Sequence, residues 1–307
     1  MYLLFTILVS IAFIVNGDDV ERDILFPYSS YEHFHDMTRT HRYVRDCQRK
    51  EHGNLTHQTI KPRTISEEVE LTSFLHGVNM FGHHAVIKDP ARMFSVQEPV
   101  GGGCGVNATS TVPQTASQNG CFIATNAGYF TPEEPGYGTC LGNIIINSKV
   151  IQKTDIQNAN FGIRQDGTIV VGYLSEDEVT DQLNPFVHLV TGVGWIIREG
   201  KSYLDESQKA ECKKIETTGT LHKFFSVVAA RTLLGVDENG FIHLVTVDGK
   251  TGSRGYVINI IKVTLRQLGL IYIIYGTLLY AKFHSLYITN TKTQHKSPSC
   301  LKVTFLL

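Results

Sequence analysis

The sequence lacks the cysteine spacing of a metal site. None of its six cysteines forms a Cys-x-x-Cys pair, and structural zinc sites need such closely spaced thiolates. The spacing therefore disfavours zinc, and no metal or other cofactor is predicted. Six cysteines are typical instead of an oxidising compartment, where thiols pair as disulfides. They are Cys47, Cys104, Cys121, Cys140, Cys212 and Cys300.

An excess of charge of either sign is also absent. The 307 residues carry a formal net charge of −1, which gives no reason to expect nucleic acid or an anionic membrane surface as a partner. The Gly-rich stretch Gly101–Gly105 lacks the Lys-Ser/Thr that completes a phosphate-binding P-loop, so it is predicted to be a loop. With 42% hydrophobic and 19% charged residues, the composition is typical of a globular protein.

The first apolar run is too short for a typical membrane span. Residues 1–17 are almost all apolar, whereas a span needs roughly 20 such residues. The run predicts a secretory signal peptide, although the usual basic start is missing, and a retained membrane anchor is the alternative. Sequons at Asn54 and Asn107 predict N-glycosylation and agree with transit through the secretory pathway.

The segment 18–45 is polar and has no periodicity. It is rich in His and Arg, and the second of its two Arg-x-x-Arg sites ends at Arg45. A propeptide cleaved after Arg45 and an exposed surface arm remain equal alternatives. The patterned part of the chain is expected to form one domain over residues 46–272, followed by an atypical tail over residues 273–307.

Hairpin signals outnumber helix signals along this domain. Asp166-Gly167 and Asn239-Gly240 are turn pairs between apolar runs, and capping boxes begin at Thr111 and Ser175. No alternation of strands and helices is visible. The sequence therefore predicts an α+β fold with mixed or antiparallel sheets and a few helices.

Two longer apolar runs have their own predictions. The run Leu189–Ile197 has too many apolar residues for a surface strand, so we expect one central strand there. The run Phe224–Ala230 is expected to be a buried strand that ends at Arg231. A charge at the end of such a strand should meet an anion, either internal or external.

The stretch Cys121–Asn143 is the first candidate for a binding site. An apolar run leads into Asn126 and Gly128, and a Pro/Gly-rich loop then leads to Gly142 and Asn143. Glycine permits a positive φ or a close approach of backbone to a ligand, and Asn tolerates similar conformations. A binding site and a merely structural strand and turn remain open alternatives.

The second candidate is Asp248-Gly249, which follows the apolar run Phe241–Val247. A carboxylate at the end of a core strand, followed by glycine, is a common arrangement for a catalytic acid or base. The same pair is also common in ordinary turns, so the pattern alone leaves both interpretations open.

Several motifs together resemble the phosphodiester glycosidase family, from about Asp23 to about Gln267. The resemblance extends over most of the chain, and the motifs occur in the order of the family. They include Met93–Pro99, Asn126–Phe130, Cys140–Asn143, Gln157–Arg164, Gly172–Glu176, Glu206–Gln208, Ala230–Thr232 and Val247–Gly249.

The resemblance implies a function. Family members remove a terminal N-acetylglucosamine that is linked through phosphate to the 6-hydroxyl of mannose. The implied substrates are phosphorylated high-mannose glycans on lysosomal hydrolases, and the implied role is lysosomal targeting. The location would be the Golgi lumen or outside the cell, with no evident C-terminal anchor. The oligomeric state is not fixed by the sequence, and an oligomer is compatible with it.

The resemblance also implies roles for individual residues of a single catalytic-type domain. Asp248, Arg231 and Asn126 would be catalytic. A disulfide would join Cys104 to Cys140, and Cys121 would pair with a downstream cysteine, for which Cys300 is the candidate. The residues that would contact substrate are Gly128, Gly142, Asn143, Thr232 and Gly249.

One family motif is missing. Family members carry Asp-Gly-Gly-Gly-Ser after the last core strand, as part of the active site, whereas this chain has Ile273–Leu279 at that place. The alternative function is therefore a non-catalytic phosphosugar- or glycan-binding protein, either a paralogue or a shortened isoform. Hydrolysis and binding without hydrolysis both remain open at the level of sequence.

Overall fold

A computed structural model describes the following parts of the chain. The described residues are 57–63, 66–76, 80–98, 104, 110–130, 140–154, 158–211, 221–249, 270–276, 286–288 and 303–306. The predicted signal peptide, the segment 18–45 and both sequons lie outside them.

The fold is α+β with mostly antiparallel sheets, as the sequence predicts. Within the described residues there are five short helices: α1 Pro90–Met93, α2 Val112–Gln118, α3 Glu176–Val179, α4 Leu204–Ala210 and α5 Leu221–Ser226. None of the helices in these ranges is long and apolar enough to cross a membrane. The strands of the same residues are β1 His57–Ile60, β2 Val69–His76, β3 Met80–Ile87, β4 Phe94–Gln97, β5 Ile123–Asn126, β6 Tyr129–Phe130, β7 Cys140–Leu141, β8 Ile144–Ile146, β9 Lys149–Gln152, β10 Asn160–Arg164, β11 Ile169–Gly172, β12 Phe186–Thr191, β13 Trp195–Arg198, β14 Lys201–Ser202, β15 Arg231–Asp237, β16 Ile242–Val247, β17 Leu270–Gly276, β18 Leu286–Ile288 and β19 Val303–Leu306.

Two large sheets pack against each other. One has seven strands in the order β14-β13-β17-β15-β16-β3-β2, and the other has six in the order β1-β11-β10-β12-β8-β9. Residues of both sheets, such as Leu244 of the first and Phe161 of the second, belong to one buried apolar cluster. Fully burying a side chain of this size stabilises a fold by about 1.5–3 kcal/mol. The main core therefore lies between these sheets.

A third sheet of four strands, in the order β18-β5-β19-β4, completes the framework. β19 runs parallel to both β5 and β4, and β18 pairs with β5 in the antiparallel sense. Two strands of the predicted tail thus pair with a strand of the predicted domain. β17 also continues through the expected boundary at residue 272 and ends at Gly276.

The turn and cap predictions are confirmed. The Asp166-Gly167 turn joins β10 to β11 with Gly167 at φ +82°, and the Asn239-Gly240 turn joins β15 to β16 with Gly240 at φ +79°. Both capping boxes form, one opening α2 and the other opening α3. Local sequence chemistry therefore specifies these ends without help from the rest of the chain.

The prediction of one strand over Leu189–Ile197 is wrong. The run divides into β12 and β13, which belong to different sheets. The break contains Gly194 at φ +87°, whose N–H donates to both carboxylate oxygens of Glu211 at 3.0 Å. A buried carboxylate and a left-handed glycine redirect the chain, and apolar content alone does not reveal them.

The prediction of a strand over Phe224–Ala230 is also wrong. Phe224 and Phe225 lie in α5, and both side chains are buried in the cluster beside the seven-stranded sheet. A short apolar run cannot be assigned to strand or helix by periodicity alone. Consequently, Arg231 begins β15 instead of ending the preceding strand.

Candidate active site

One face of the seven-stranded sheet changes from apolar to polar along its strands. Residues that are directly opposite on neighbouring antiparallel strands point to the same face, so the register defines rows of side chains. Two consecutive rows are apolar and belong to the main core. They consist of Val69, Ile87, Ile242 and Val236, and then of Leu71, Ala85, Leu244 and Leu234.

The third row on this face is polar and consists of Ser73, His83, Thr246 and Thr232. We call it the polar row. Thr232 and Thr246 are buried, His83 is half-buried and Ser73 is exposed. The row therefore leads from the interior of the protein to its surface, at the end of the sheet where β15 begins and β16 ends.

β5 brings the first part of the Cys121–Asn143 stretch to the polar row. Thr125 Oγ1 lies 3.4 Å from Thr232 Oγ1, and both residues are fully buried. Asn126 follows directly as the last residue of β5. The structure thus brings Asn126 and Thr232, which are far apart in sequence, to the same end of the seven-stranded sheet.

Two buried polar atoms at this place have no hydrogen-bond partner among the described residues. They are Asn126 Oδ1 and Thr246 Oγ1. An unsatisfied buried polar group costs about 1–3 kcal/mol, so native proteins keep few of them. Oxygen atoms left in this state beside a polar surface are typical of a site that binds a polar ligand.

Asp248 directly follows β16, which ends at Val247 beside the polar row. Its backbone N–H donates to the carbonyl of Phe81 at 2.9 Å, which continues the β16–β3 register beyond Val247 and Gly82. Asp248 is half-buried, and the Phe81 side chain is 55% exposed. A carboxylate and an exposed aromatic ring therefore adjoin the polar row, with Gly249 as the next residue.

Arg231 has a different environment. Val247 is its register partner, so its side chain lies on the opposite face of the sheet from Thr232. It is 1% exposed, and its guanidinium donates to the carbonyls of Phe224 and Val227. These carbonyls lie at and just after the C-terminal end of α5, where a helix carries partial negative charge. The buried cation thus contacts carbonyl groups of its own chain, and its Cζ lies 5.5 Å from the centroid of the Phe224 ring.

Gly142 and Asn143 take part in a buried network of the six-stranded sheet. Asn143 accepts from the Thr154 N–H at 3.1 Å and donates from Nδ2 to Asn160 Oδ1 at 3.2 Å. Its own N–H donates to Thr191 Oγ1 at 2.7 Å. Gly142 has φ +89°, and a Cβ there would lie 2.5 Å from Thr191 Cβ. Both residues are therefore committed to internal packing in this structure.

The hairpin of β6 and β7 relates Gly128 to Gly142. Tyr129 pairs with Leu141, so the continued register places the two glycines opposite each other. A disulfide joins Cys104 to Cys140, the first residue of β7, and it is the pair that the resemblance implies. Cys121 is buried, and the downstream Cys212 and Cys300 lie outside the described residues, so its pairing stays a prediction.

The sequence analysis missed four residues of this region: Phe81, His83, Ser73 and Thr246. The available signal was the alternation along β3, in which Phe81, His83, Ala85 and Ile87 share one face. A histidine within that series marks the point where the face ceases to be core. The register with β2 and β16 depends on contacts between distant parts of the chain, so the row itself was not visible.

His84, the residue after His83, contacts other side chains of the sheet and not the polar row. His84 lies on the other face, where its Nε2 is 2.9 Å from His243 Nδ1, and His243 Nε2 is 3.4 Å from Asp237 Oδ2. Burial, and then the charge that His243 can carry, lower the pKa of His84 to about 4. The side chains of His83 and His84 thus lie on opposite faces of one sheet.

Comparison with known proteins identifies the class. Residues 119–275 match the family model described as phosphodiester glycosidase, and the chain belongs to this family. The match contains β5, the polar-row residues Thr232 and Thr246, and Asp248.

The relatives that it resembles share one name, N-acetylglucosamine-1-phosphodiester alpha-N-acetylglucosaminidase. The bovine protein is 41% identical over 249 residues, which cover 78% of this chain and 45% of the relative. The human protein is 39% identical over 248 residues, covering 78% and 46%. The chain therefore spans about half the length of these relatives.

A solved structure agrees with this assignment. The zebrafish catalytic domain of the same name, described as auto-inhibited by its pro-peptide, has a TM-score of 0.71 and 38% identity. The similarity covers 88% of this chain and 93% of that domain. The described fold is thus that of a phosphodiester glycosidase catalytic domain.

Proposed function

We propose that this chain hydrolyses the bond between N-acetylglucosamine and phosphate in GlcNAc-phospho-mannose diesters. The products are N-acetylglucosamine and mannose 6-phosphate, carried on the high-mannose glycans of lysosomal enzymes. The relatives named for this activity support the proposal, since they share about 40% of their residues with the chain over the catalytic region.

One structural observation carries the proposal: the unpartnered buried hydroxyl of Thr246 and the half-buried carboxylate of Asp248 lie at the same end of β16. Thr246 Oγ1 and, at the end of β5, Asn126 Oδ1 offer hydrogen bonds to a sugar, and Asp248 lies two residues beyond Thr246. Such an arrangement suits a polar, hydroxyl-rich ligand better than an apolar one, because an apolar ligand would leave these oxygens unsatisfied.

In this proposal Asp248 supports the developing charge. Cleavage of the bond between the anomeric carbon and the phosphate oxygen passes through a transition state that resembles an oxocarbenium ion. A carboxylate close to that carbon stabilises the positive charge, or attacks it as a nucleophile. Thr232 and Asn126 would bind the sugar, and the backbone N–H groups of Gly128 and Gly249 would bind phosphate oxygens.

Three residues are proposed to support the site without contacting the substrate: Arg231, Gly142 and Asn143. Arg231 supports the start of β15 through its contacts with α5, so its charge reaches the site as a field and not as a direct contact. Gly142 and Asn143 fix the end of the β6–β7 hairpin through Thr191. The contact with substrate that the resemblance implies for these three residues would require their side chains or the strand ends to move.

The cellular setting is part of the same proposal. A cleaved signal peptide over residues 1–17 and N-glycans at Asn54 and Asn107 would place the domain in the Golgi lumen or outside the cell. The Cys104–Cys140 disulfide supports an oxidising compartment. The segment 18–45 is proposed as a propeptide, by analogy with the zebrafish domain whose description includes auto-inhibition by a pro-peptide.

Binding without hydrolysis is the second candidate, and it rests on a motif that the sequence lacks after β17. Gly276, the last residue of β17, pairs with Thr232 of the polar row. The family carries Asp-Gly-Gly-Gly-Ser directly after this strand, at positions that lie outside the described residues of this chain. This chain has Thr277-Leu278-Leu279 at that place, without the acid and the three glycines.

An isotope experiment distinguishes the candidates. The purified chain is incubated with a synthetic GlcNAc-phospho-mannoside in ¹⁸O water, and both products are analysed by mass spectrometry. The proposed glycosidase places ¹⁸O in N-acetylglucosamine, because the carbon–oxygen bond breaks. Label in the phosphate would show attack at phosphorus, and saturable binding without products would establish the binding protein instead.

A further inference from the structure

We infer that His83 is a second ionisable group of the proposed active site and accepts the proton of the hydrolytic water. The inference rests on the proposed function, since it assigns a step of that reaction to a residue outside the motifs that carry the family resemblance. It is argued from the position of His83 in the sheet, its contact with Ser73 and the chemistry of the leaving group.

The position of His83 is fixed by the register on both sides. It pairs with Thr246 of β16 and with Ser73 of β2, so all three side chains lie on the face that carries the polar row. Directly opposite residues have Cβ atoms about 4.5–5.5 Å apart. His83 is therefore the immediate neighbour of Thr246, whose buried hydroxyl has no partner among the described residues.

The same register places His83 diagonally from Asp248. Phe81 is opposite Asp248, and His83 follows two residues later on the same face of β3. Diagonal neighbours in a sheet are about 7–8 Å apart, which leaves room for a small molecule between their functional groups. The carboxylate of Asp248 and the imidazole of His83 thus lie on the same face of the sheet, with a gap between them.

Ser73 orients the ring. Its Oγ lies 3.0 Å from His83 Nδ1. When Nδ1–H donates to that hydroxyl, Nε2 holds the free electron pair and is the atom able to accept a proton. His83 is half-buried, so its ring is held at the border between the buried threonines and solvent, where water is available.

The leaving group determines where a base is needed. A phosphate monoester has a second pKa of about 6, so mannose 6-phosphate departs as a dianion at neutral pH without being protonated. Water, in contrast, must lose a proton as it attacks. The water oxygen bonds to the anomeric carbon, the bond from that carbon to phosphate oxygen breaks with its electron pair on phosphate, and the proton passes to His83 Nε2 and then to solvent.

The ionisable side chains near His83 are compatible with its role as a base. Asp248 is the titratable side chain that the described rows of β2, β3, β15 and β16 bring towards His83 on this face. The negative charge of that carboxylate attracts a positive charge on the same face. Ser73, Thr246, Thr232 and Phe81 contribute no charge at physiological pH.

His84 provides a matched control in the next position of the chain. It is the same residue type on the same strand, but its ring lies on the opposite face against His243. Substitution of His84 should affect stability, whereas substitution of His83 should affect the reaction.

The test compares the variants His83→Gln, Ser73→Ala and His84→Gln with the wild-type chain on a GlcNAc-phospho-mannoside. We expect His83→Gln to lower kcat about 10²–10⁴-fold, the usual contribution of general acid–base catalysis, and to abolish the limb of the pH–rate profile that requires a neutral imidazole. Ser73→Ala, at an exposed position that tolerates substitution, should shift that limb and reduce kcat less. The folded His84→Gln variant should retain the wild-type profile.

The outcomes distinguish the role of His83 from the proposed hydrolase function. Full activity and an unchanged pH profile in His83→Gln, with an active wild-type chain, would overturn the role of His83 and leave the proposed function intact. No turnover by the wild-type chain would overturn both, because the step assigned to His83 would not occur. Restoration of a cleavage-deficient His83→Ala variant by added imidazole would support proton transfer specifically.

Discussion

Thr125 Oγ1 on β5 lies 3.4 Å from Thr232 Oγ1 on β15, and this contact joins the four-stranded sheet to the polar row. Neither strand forms a site alone. β5 carries Asn126 to the region, and β15 carries Thr232 beside Thr246. The candidate active site therefore forms where the four-stranded and seven-stranded sheets meet. Substitution of a polar side chain in this site should lower activity without lowering the stability of the fold.

Thr246→Val tests this expectation. The substitution removes a buried hydroxyl that has no partner among the described residues, so we expect the free energy of unfolding to stay equal or to rise by up to about 1–3 kcal/mol. At the same time kcat/KM should fall, because the sugar loses a hydrogen bond. Thermal unfolding and steady-state kinetics measure the two effects.

Thr191→Val is the matched substitution at a satisfied site. Thr191 Oγ1 accepts from the Asn143 N–H at 2.7 Å and donates to Asn160 Oδ1 at 2.7 Å. Removing this hydroxyl should lower the free energy of unfolding by about 1–3 kcal/mol. Equal destabilisation of the two variants would contradict the assignment of Thr246 to the site.

Gly142→Ala should be strongly destabilising. The new methyl group would lie 2.5 Å from Thr191 Cβ at a residue with φ +89°, so we expect a loss of about 2–4 kcal/mol from overpacking together with backbone strain. Chemical denaturation measures the loss.

Gly200→Ala separates the two causes. Gly200 has φ +71°, but nothing lies within 4 Å of an added Cβ, so that variant should lose only about 1–2 kcal/mol. If Gly142→Ala were as stable as Gly200→Ala while substrate binding weakened, Gly142 would act mainly at the substrate and not in packing.

Phe81→Ala should weaken substrate binding with little effect on folding. The ring is 55% exposed beside Asp248, where it can cover the apolar face of a sugar. We expect KM to rise several-fold while the unfolding temperature changes little. Leu183, which is 98% exposed away from the polar row, provides the control Leu183→Ala. Equal KM values in wild type and Phe81→Ala would exclude the ring from the binding surface.

The His84–His243 contact predicts a dependence of stability on pH. Burial and His243 lower the pKa of His84 from 6.5 to about 4, so between these values the unfolded chain binds a proton that the folded chain does not. The free energy of unfolding should therefore fall as the pH falls from 6.5 to 4, and this contribution ends below that range. His84→Asn should flatten the slope of the unfolding temperature across this window; an unchanged slope would assign it to other groups.

Local chemistry in the sequence was sufficient for much of the fold. The hairpin at Asp166-Gly167 and the capping boxes at Thr111 and Ser175 depend on residues within a few positions of one another. The errors occurred where distant contacts decide the outcome. Glu211 bends the chain at Gly194, and the core beside the seven-stranded sheet selects a helix for Phe224 and Phe225.

The site was predictable only in part for the same reason. Asn126, Thr232 and Asp248 each stand at the end of an apolar run, which is a local signal, and the structure brings their strand ends together. His83 and Thr246 become neighbours only through the pairing of β3 with β16, whose register spans more than half of the chain. The side-chain face of Arg231 likewise depends on the residue at which β15 begins.

The effect of Asp248→Asn on kcat/KM for a GlcNAc-phospho-mannoside shows whether Asp248 and the polar row form the active site. The variant keeps the size of the side chain and the backbone N–H that contacts Phe81, but removes the charge that is proposed to lie next to the anomeric carbon. The account predicts a loss of about 10²–10⁴-fold with unchanged unfolding temperature, while Asp177→Asn on the exposed surface of α3 retains full activity. Equal kcat/KM in Asp248→Asn and wild type would contradict the account, because the polar row would then not be the active site.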